Sequence, residues 1–279
     1  MAKLTKKQRK CHAEAEALLS LDRRLNDEET RFVFDHWHEG ADFNNGAAGA
    51  FFTPYDLAAD FSLEVGAGRI IDLCAGIGAL SYFAYHRHQY NGPTQLTCIE
   101  RNPRYVEVGR KLLPEAEWIL ADVFDWQDWF YNDLGGEKFD WSIGNPPFGK
   151  VRRSGNAPRY QGADFEYHVI DIAAEISESG AFIVPQQSAN FRYSGERMFS
   201  ELQGGRAAKF CKQTGWIMNP GLGIDCSIHK DDWKDTNIIT EVVCFEFDED
   251  RQVQQKIQSS RIAAAPVASS ASAQQLALF

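Results

Sequence analysis

The chain has 279 residues, 44% of them hydrophobic, which is enough for one α/β domain with its own core and short appendages. A net charge of −10 opposes non-specific binding to a polyanion, because Lys and Arg side chains supply most of that affinity. No apolar run approaches the ~20 residues that span a bilayer, and the six cysteines contain no Cys-x-x-Cys pair. We therefore expect a cytoplasmic protein without a membrane segment, a signal peptide, a disulfide framework or a metal site.

The N-terminal part of the chain is predicted to be helical. Residues 5–39 include a stretch rich in Ala and Glu, and Asn26 precedes an acidic turn that can begin a second helix. The loop Asn44–Gly49 lies beside Phe51–Pro54, so a segment that closes over a ligand and a plain linker are equally good interpretations of it. Residues 55–65 are predicted to form a helix that leads into the first strand.

The first predicted strand ends in a turn that contains glycines. An apolar run leads into Asp72, and Gly76 and Gly78 follow before a helix-compatible stretch over 79–88. Glycines at such positions let the backbone pass close to a ligand and turn sharply into the helix. The spacing lacks the third glycine of a dinucleotide fingerprint, so by itself it predicts only a tight turn between a strand and a helix.

Carboxylates also stand at the ends of two further predicted strands. The strand Gln95–Glu100 ends in an acid, which in the second strand of such a unit is well placed to bind two ribose hydroxyls. The strand over 118–121 precedes Asp122, whose carboxylate, beside the apolar Val123 and Phe124, can hold an adenine amino group and ring. These spacings fit consecutive βαβ units, whose strand ends meet at one edge of a parallel sheet.

The most informative motif is Asn145-Pro146-Pro147-Phe148, which follows the apolar run 139–144. Two consecutive prolines cannot continue a ladder or a helix, so the strand must end where the Asn begins. The Asn amide oxygen and the Pro146 carbonyl then form a rigid pair of acceptors for an exocyclic NH2 group, at the edge where open α/β folds bind ligands. The ring of Phe148 offers a face on which a flat, amino-bearing substrate can stack.

The remaining predicted elements continue the alternation of strands and helices. We predict a helix over 164–177, a fifth strand over 180–185 and an edge strand over 240–247. The stretch 187–205 stays unassigned. Its aromatic side chains and Arg192 either touch nucleobases or, as is more common for aromatic residues, are buried.

Together these strand ends resemble the class I S-adenosylmethionine-dependent methyltransferases, specifically the amino methyltransferases with an Asn/Asp-Pro-Pro-aromatic tetrapeptide. Phe51-Phe52-Thr53-Pro54 is similar to the F-x-T-P-type segment of adenine-N6 DNA methyltransferases. The resemblance covers residues 48–190 and the strand near 240–247. It implies an α/β fold: a Rossmann-like, seven-stranded, mostly parallel sheet with helices on both faces, an N-terminal helical extension and a disordered C-terminal tail.

The resemblance also implies S-adenosyl-L-methionine as the cofactor. The residues that it places around the cofactor are Phe52, Thr53, Pro54, Asp72, Cys74, Gly76, Gly78, Glu100, Asp122, Val123, Phe124 and Asn145. The catalytic residues that it implies are Asn145, Pro146, Pro147 and Phe148, with no metal. An adenine leaves the duplex, Asn145 Oδ1 and the Pro146 carbonyl accept its N6 hydrogens, and Phe148 stacks on it.

The motif leaves the kind of polymer open. Most DNA-adenine methyltransferases of this type have Tyr in the fourth position of the tetrapeptide, and Phe148 also fits RNA-modifying relatives. A cationic loop follows the motif directly and contains Lys150, Arg152, Arg153 and Arg159. We predict that this loop contacts the nucleic-acid backbone, with a solvated surface loop as the alternative.

The C-terminal residues indicate a protein partner. A tail rich in Ala, Ser and Gln, which cannot bury enough apolar surface to fold, leads into Gln275-Leu276-Ala277-Leu278-Phe279. This pentapeptide is similar to the Gln-Leu-x-Leu-Phe peptide with which bacterial replication and repair proteins bind the sliding clamp. The implied contacts are Gln275, Leu276, Leu278 and Phe279, and a chance match is the alternative. Because an acidic chain binds DNA weakly, a clamp would raise its effective concentration there.

The predicted organisation has four parts: an N-terminal helical extension (1–48), a methyltransferase domain (49–250), a flexible linker (251–274) and a clamp-binding peptide (275–279). Segments 149–163 and 187–235 are candidates for target recognition. The predicted function is methylation of adenine N6 in double-stranded DNA by a solitary bacterial or phage enzyme at the nucleoid. The alternatives are an RNA adenine-N6 or protein-glutamine methyltransferase and, in a different class, a non-catalytic clamp-binding adaptor. The target sequence and the oligomeric state are not readable from the sequence.

Overall fold

The computed structural model describes residues 4–38, 51–90, 92–234 and 236–264. The helices in these ranges are α1 (Lys6–Leu19), α2 (Asp27–His36), α3 (Tyr55–Phe61), α4 (Ala79–His88), α5 (Pro103–Leu112), α6 (Trp126–Asp128), α7 (Phe165–Ile176), α8 (Gly205–Thr214) and α9 (Phe247–Ala264). The strands are β1 (Arg69–Leu73), β2 (Gln95–Glu100), β3 (Glu117–Leu120), β4 (Phe139–Gly144), β5 (Ser177–Pro185), β6 (Phe191–Arg192), β7 (Ser200–Glu201) and β8 (Thr240–Glu246).

Six strands form one mixed sheet in the order β3-β2-β1-β4-β5-β8. The pairs β3–β2, β2–β1, β1–β4 and β4–β5 are parallel, and β8 pairs antiparallel with β5 at the edge. The strand order changes direction between β1 and β4. At such a switch point the carboxyl ends of the two strands border a crevice, which is where open α/β sheets bind ligands.

Both faces of this sheet are buried, because successive side chains of a strand point to opposite sides. In β1, Ile70 packs into the core that α3, α4 and α5 cover. The next residue, Ile71, packs into the core on the other face, which α7 and α8 cover. The central strands β1, β4 and β5 are therefore buried along most of their length.

The N-terminal helices pack onto the domain and contribute to its core. α1 and α2 each begin with a capping box, in which Thr5 and Asn26 are the N-cap residues. Trp37, just after α2, is 1% exposed. Its ring centroid lies 5.6 Å from that of Phe52 and 5.7 Å from that of Tyr105. The extension therefore supports the Phe51–Pro54 segment from behind.

The predicted fold class is confirmed, with one difference in detail. The main sheet has six strands in the described part of the chain, where we predicted seven, and β6 and β7 form a separate two-stranded sheet. The predicted strand over 240–247 is the antiparallel edge strand β8. In the described ranges, no helix is both long enough and apolar enough to cross a bilayer.

The predicted linker is corrected over its first half. Residues 251–264 continue α9, where we predicted a flexible segment from 251. Tertiary contacts hold the first turn of this helix: the Asp250 carboxylate accepts a hydrogen bond from the Ile217 backbone N–H at 2.8 Å, and the Arg251 guanidinium lies 5.5 Å from the Trp216 ring centroid. The rest of the linker, the pentapeptide 275–279 and the loop Asn44–Gly49 lie outside the described residues.

Candidate active site

A cavity of about 900 Å³ opens at the carboxyl ends of β1, β2, β3 and β4. Twelve of the residues that we predicted for cofactor, catalysis or nucleic acid line it: Phe52, Thr53, Asp72, Cys74, Gly76, Glu100, Asp122, Val123, Asn145, Pro147, Arg152 and Arg153. These residues come from separate parts of the sequence between positions 52 and 153. The parallel strands bring them together, because their carboxyl ends share one edge of the sheet.

Asn145 stands at the end of β4 with its amide held in a fixed orientation. Its Nδ2 donates to the Phe51 carbonyl at 2.9 Å and to Thr53 Oγ1 at 3.0 Å. A carbonyl oxygen can only accept, so the amide nitrogen must face Phe51 and the amide oxygen must face the other way. Asn145 Oδ1 is buried and has no hydrogen-bond partner in the described part of the chain. A buried acceptor without a partner is costly, and it is the group that a bound donor would satisfy.

The turn after β1 has an unusual backbone that brings it close to the cavity. Cys74, Gly76 and Gly78 have φ angles of 65°, 60° and 88°. The value at Cys74 is uncommon for a residue with a Cβ, and such outliers cluster at functional sites. A Cβ at Gly78 would lie 2.9 Å from the Trp118 ring, so this glycine is required for packing, whereas Gly76 lines the cavity.

Asp72 is a buried carboxylate on the cavity wall. It is 1% exposed, and its Oδ2 accepts a hydrogen bond from Ser81 Oγ at 2.7 Å. Its Oδ1 has no partner among the described residues. Burial disfavours the charged form and raises the pKa of Asp72 to about 7. A cationic group bound beside Oδ1 would restore the ionised carboxylate.

Glu100 fixes the turn after β1 from the end of β2. Its Oε2 accepts from the Gly76 backbone N–H at 2.9 Å, and its Oε1 accepts from the Asn102 N–H at 2.7 Å. Burial raises the pKa of Glu100 to about 7. Each carboxylate oxygen retains a lone pair after these contacts, so the acid can still accept hydrogen bonds from a ligand in the cavity.

Five of the residues predicted for the cofactor or for catalysis lie outside the cavity lining: Pro54, Gly78, Phe124, Pro146 and Phe148. The Phe148 ring packs between Phe51 and Trp233, with centroid distances of 6.4 Å to each. The Phe124 ring meets Phe165 edge to face at 5.3 Å, behind the cavity wall. Both side chains are half-buried, and these contacts with neighbouring aromatic rings hold them in place.

The cationic loop 149–163 divides into two parts. Arg152 and Arg153 line the cavity, and Lys150 is exposed. Arg159 is instead engaged within the protein: its guanidinium pairs with Glu175 and lies 4.7 Å from the Trp216 ring centroid. These contacts hold the Arg159 charge against α7, and contact of Arg159 with nucleic acid stays a prediction.

The sequence analysis missed several residues that build the site. Glu166, at 0% exposure, accepts from the Gly149 backbone N–H at 2.7 Å and from Ser188 Oγ at 2.8 Å. It therefore holds the chain directly after the tetrapeptide. Its position in the first turn of an amphipathic helix gives no sign of this role. Arg101, Asn102 and Tyr105 also line the cavity, and they follow β2 so closely that the strand-end argument could have included them.

The cavity fits S-adenosyl-L-methionine. Its volume of about 900 Å³ lies within the range typical of small-molecule sites. It contains two buried oxygens without partners in the described ranges, Asp72 Oδ1 and Asn145 Oδ1. Acidic side chains at three successive strand ends suit a ligand with a cationic group, ribose hydroxyls and an adenine amino group.

Comparison with known proteins supports this assignment of the fold. Residues 57–158 match the family model described as methyltransferase small domain. No curated protein matches the sequence significantly. A candidate class I S-adenosylmethionine-dependent methyltransferase from Listeria monocytogenes has a TM-score of 0.52 at 13% identity, with 84% of this chain and 79% of that chain covered.

Two further solved structures are similar. The methyltransferase subunit of a type I restriction-modification system from Streptococcus thermophilus has a TM-score of 0.51 at 17% identity, with 80% of this chain and 51% of that chain covered. A candidate RNA methyltransferase from Pyrococcus horikoshii has a TM-score of 0.42 at 18% identity, with 86% and 97% covered, and this likeness is too low to carry weight. The predicted cofactor, S-adenosyl-L-methionine, agrees with the family match. The chain therefore has a Rossmann-like methyltransferase fold, in which residues 57–158 match the methyltransferase small domain.

Proposed function

We propose that this protein is an S-adenosylmethionine-dependent methyltransferase that acts on the N6 amino group of adenine in DNA. The observation that carries the proposal is the Asn145 side chain. Asn145 lines the cavity, its amide nitrogen is held by Phe51 and Thr53, and its amide oxygen is buried without a partner in the described part of the chain. An acceptor fixed in this way is complementary to an exocyclic amine.

Different residues of the cavity wall would bind different parts of the cofactor. Asp72 Oδ1 would accept a hydrogen bond from the ammonium group of the cofactor, and Glu100 would accept from the ribose hydroxyls. Asp122 would accept from the adenine amino group, and Val123 would pack on the ring. When bound, S-adenosyl-L-methionine supplies a methyl group on a positively charged sulfur, which is already a good leaving group.

The tetrapeptide orients the acceptor of the methyl group. Asn145 Oδ1 and the Pro146 carbonyl accept the two N6 hydrogens of an adenine that has left its stack. These contacts direct the nitrogen lone pair into the cavity and stabilise the positive charge that develops on N6. The Phe148 ring, which contacts Phe51 and Trp233 and is half-buried, would stack on the base.

The test of catalysis is the variant Asn145→Ala. We expect methyl transfer to DNA to fall at least 10²-fold, by analogy with the loss of one preorganised hydrogen-bond group, which costs about 10²–10³ in rate. Binding of S-adenosylhomocysteine, measured by calorimetry, should stay within a few-fold of wild type. A variant that retains methyl transfer would remove Asn145 from the catalytic role.

The choice of DNA rests on the Phe51–Pro54 segment and on the C-terminal pentapeptide, both of which resemble parts of DNA-associated proteins. An RNA adenine-N6 or a protein-glutamine methyltransferase would present the same kind of amine to Asn145. Incorporation of labelled methyl into duplex DNA, structured RNA and protein separates these alternatives. Labelling of RNA or protein alone would overturn the DNA assignment. In that case, sequencing of genomic DNA from cells that express the protein should show no N6-methyladenine.

We also propose that the pentapeptide 275–279 binds a bacterial sliding clamp. Its sequence, Gln275-Leu276-Ala277-Leu278-Phe279, supports this assignment, and so does the acidic net charge of −10, which leaves the chain with a weak electrostatic attraction to DNA. A clamp would hold the protein near DNA and so raise its effective concentration there. A non-catalytic clamp-binding adaptor is the alternative of a different class, and methyl transfer by the purified protein would exclude it.

A further inference from the structure

The loop that follows the tetrapeptide is attached to the rest of the domain along its length. At its start, the Gly149 backbone N–H donates to Glu166 at 2.7 Å. In its second half, the Ala157 N–H donates to His168 Nδ1 at 3.1 Å, and the N–H groups of Arg159 and Tyr160 donate to Asp171 at 2.7 and 2.9 Å. Between these anchors, residues 151–154 are held against the cavity, which all four of them line.

One side-chain contact joins this segment to the end of β3. Ser154 Oγ donates to Asp122 Oδ2 at 2.9 Å, across 32 positions of the sequence. The next residue, Gly155, packs so closely on Phe124 that a Cβ there would lie 3.0 Å from the Phe124 Cβ. The segment therefore forms part of the cavity wall beside this carboxylate.

The other contacts of Asp122 leave it free to accept a ligand. Its Oδ1 accepts from the Phe124 backbone N–H at 3.0 Å, and its Oδ2 lies 3.9 Å from Arg101 Nη1. Each oxygen thus has one short hydrogen bond and retains lone-pair capacity. The bonds from Phe124 and Ser154 act on different oxygens, so together they fix the rotation of the carboxylate plane.

We propose that Ser154 is a positioning residue for the cofactor: its hydroxyl holds the Asp122 carboxylate in the orientation that accepts a hydrogen bond from the adenine amino group. This inference rests on the proposed function, in which Asp122 binds the adenine of S-adenosyl-L-methionine. It assigns part of the cationic loop to the cofactor site. Arg152, two residues earlier, lines the same cavity with an exposed side chain.

The inference is tested with two ligands that differ only at the purine 6-position. S-adenosylhomocysteine carries an amino donor there, and its 6-deamino analogue carries only a hydrogen atom, so it offers the Asp122 carboxylate no donor at this position. In Ser154→Ala the dissociation constant of S-adenosylhomocysteine should rise about tenfold, as for loss of a hydrogen bond to a charged group. The dissociation constant of the 6-deamino analogue should not change. Ser154→Thr, which keeps the hydroxyl, should restore most of the affinity.

Ser179→Ala is the matched control, because Ser179 Oγ also donates to a carboxylate, Glu246 Oε2, at 2.7 Å, but on β5 away from the cavity. This control should bind both ligands like wild type. Unchanged affinity of Ser154→Ala for S-adenosylhomocysteine would overturn this inference and leave the proposed function standing. An equal loss of affinity for both ligands would do the same, because it would indicate a general effect on the cavity wall. If the wild-type protein binds no S-adenosylhomocysteine, the proposed function fails, and this inference fails with it.

Discussion

Asn145 and Phe51 are joined by a hydrogen bond of 2.9 Å from the amide Nδ2 to the backbone carbonyl, across 94 positions of the sequence. The bond links the tetrapeptide after β4 to the segment that precedes the first strand. Because the acceptor is a carbonyl oxygen, it also decides that the oxygen of the amide is the atom left for a substrate. Two motifs that are separate in the sequence therefore act as one structural unit.

The variant Thr53→Val tests how much the orientation of this amide contributes. Valine removes the hydroxyl that accepts from Asn145 Nδ2 at 3.0 Å and keeps the shape of the side chain. We expect the rate of the methyl-transfer step, measured in single-turnover experiments, to fall about fivefold, because a hydrogen bond of this kind contributes about 1 kcal/mol. Thr94→Val, before β2 at the opposite edge of the sheet, is the control and should leave the rate unchanged. An unchanged rate in Thr53→Val would mean that the Phe51 carbonyl alone holds the amide.

The pH dependence of cofactor binding should reflect the buried acids. Burial raises the pKa values of Asp72 and Glu100 to about 7 each. Both groups are thus partly protonated near neutral pH in the ligand-free protein, and the ionised forms bind an ammonium group and hydroxyls better. The affinity for S-adenosylhomocysteine should therefore increase from about pH 6 to about pH 8, as titration calorimetry can measure. In Asp72→Asn the increase should be smaller, and an equally steep increase would show that Asp72 is not involved.

The same raised pKa values should make the ligand-free protein less stable as the pH rises, although its affinity for the ligand increases. The folded protein holds these protons more tightly than the unfolded chain, in which Asp72 would titrate near its ordinary value of 3.8. The contribution of Asp72 to the free energy of unfolding is therefore present at low pH and decreases as the pH rises from about 4 towards 7 and beyond. Asp72→Asn should raise the melting temperature of the ligand-free protein at about pH 8, where the wild type carries an uncompensated buried charge. A lower melting temperature would contradict this account.

Trp233 is expected to matter for its ring and not for its N–H group. It is 5% exposed, its ring lies edge to face with Phe148 at 6.4 Å, and its Nε1 is buried without a partner in the described ranges. Trp233→Phe removes that unsatisfied donor and should leave stability and methyl transfer close to wild type. Trp233→Ala should lower the free energy of unfolding by about 3–5 kcal/mol, because it leaves a cavity beside the tetrapeptide. Urea denaturation measures the difference, and equal losses in both variants would indicate a role for the N–H.

Glu166 is expected to be a stability determinant of the loop after the tetrapeptide. Its two oxygens accept from the Gly149 N–H and from Ser188 Oγ, and Gln has only one acceptor to offer. Glu166→Gln should therefore leave one buried donor unsatisfied and lower the free energy of unfolding by about 1–3 kcal/mol in urea denaturation. The exposed Glu178, changed to Gln, is the control. Stability equal to that of the control would mean that the loop adapts to the new amide.

Deletion of residues 275–279 tests the proposed clamp peptide. The truncated protein should lose measurable binding to a bacterial sliding clamp in surface plasmon resonance, because the apolar side chains and Gln275 supply the whole contact. Methylation of short oligonucleotides should be unaffected, since these substrates need no tether. A double change, Leu278→Ala with Phe279→Ala, should have the same effect as the deletion. If the truncated protein binds the clamp with undiminished affinity, the pentapeptide is not the contact.

The strand ends were predictable because the information is local. Asp72, Glu100, Asp122 and Asn145 each follow an apolar run within one strand length, and parallel strands necessarily bring such positions to one edge. The separation between these strands is long enough for crossover helices, so the sequence also indicated a parallel sheet. The fold class and most of the cavity lining follow from these short-range patterns.

Other features depended on contacts between distant residues. Arg159 looked like its cationic neighbours, and only the position of Glu175 and Trp216 shows that its charge is neutralised within the protein. Residues 251–264 looked like the beginning of a flexible tail, but the anchoring of Asp250 to Ile217 supports a helix there. The residues that make these contacts, Glu175, Trp216 and Ile217, cannot be identified as partners from the local sequence.

The sequence by itself determined which chemical groups stand at the ends of the strands: an amide after β4 and carboxylates at the ends of β1, β2 and β3. The prolines and glycines around them left the backbone few other conformations. Only the tertiary structure decided how these groups are used. It turned the Asn145 oxygen into an acceptor without a partner in the described part of the chain, and it placed Ser154 on Asp122 and the Phe148 ring beside Trp233. The physical reason is that hydrogen bonds and packing act between atoms that are close in space, whatever their separation along the chain.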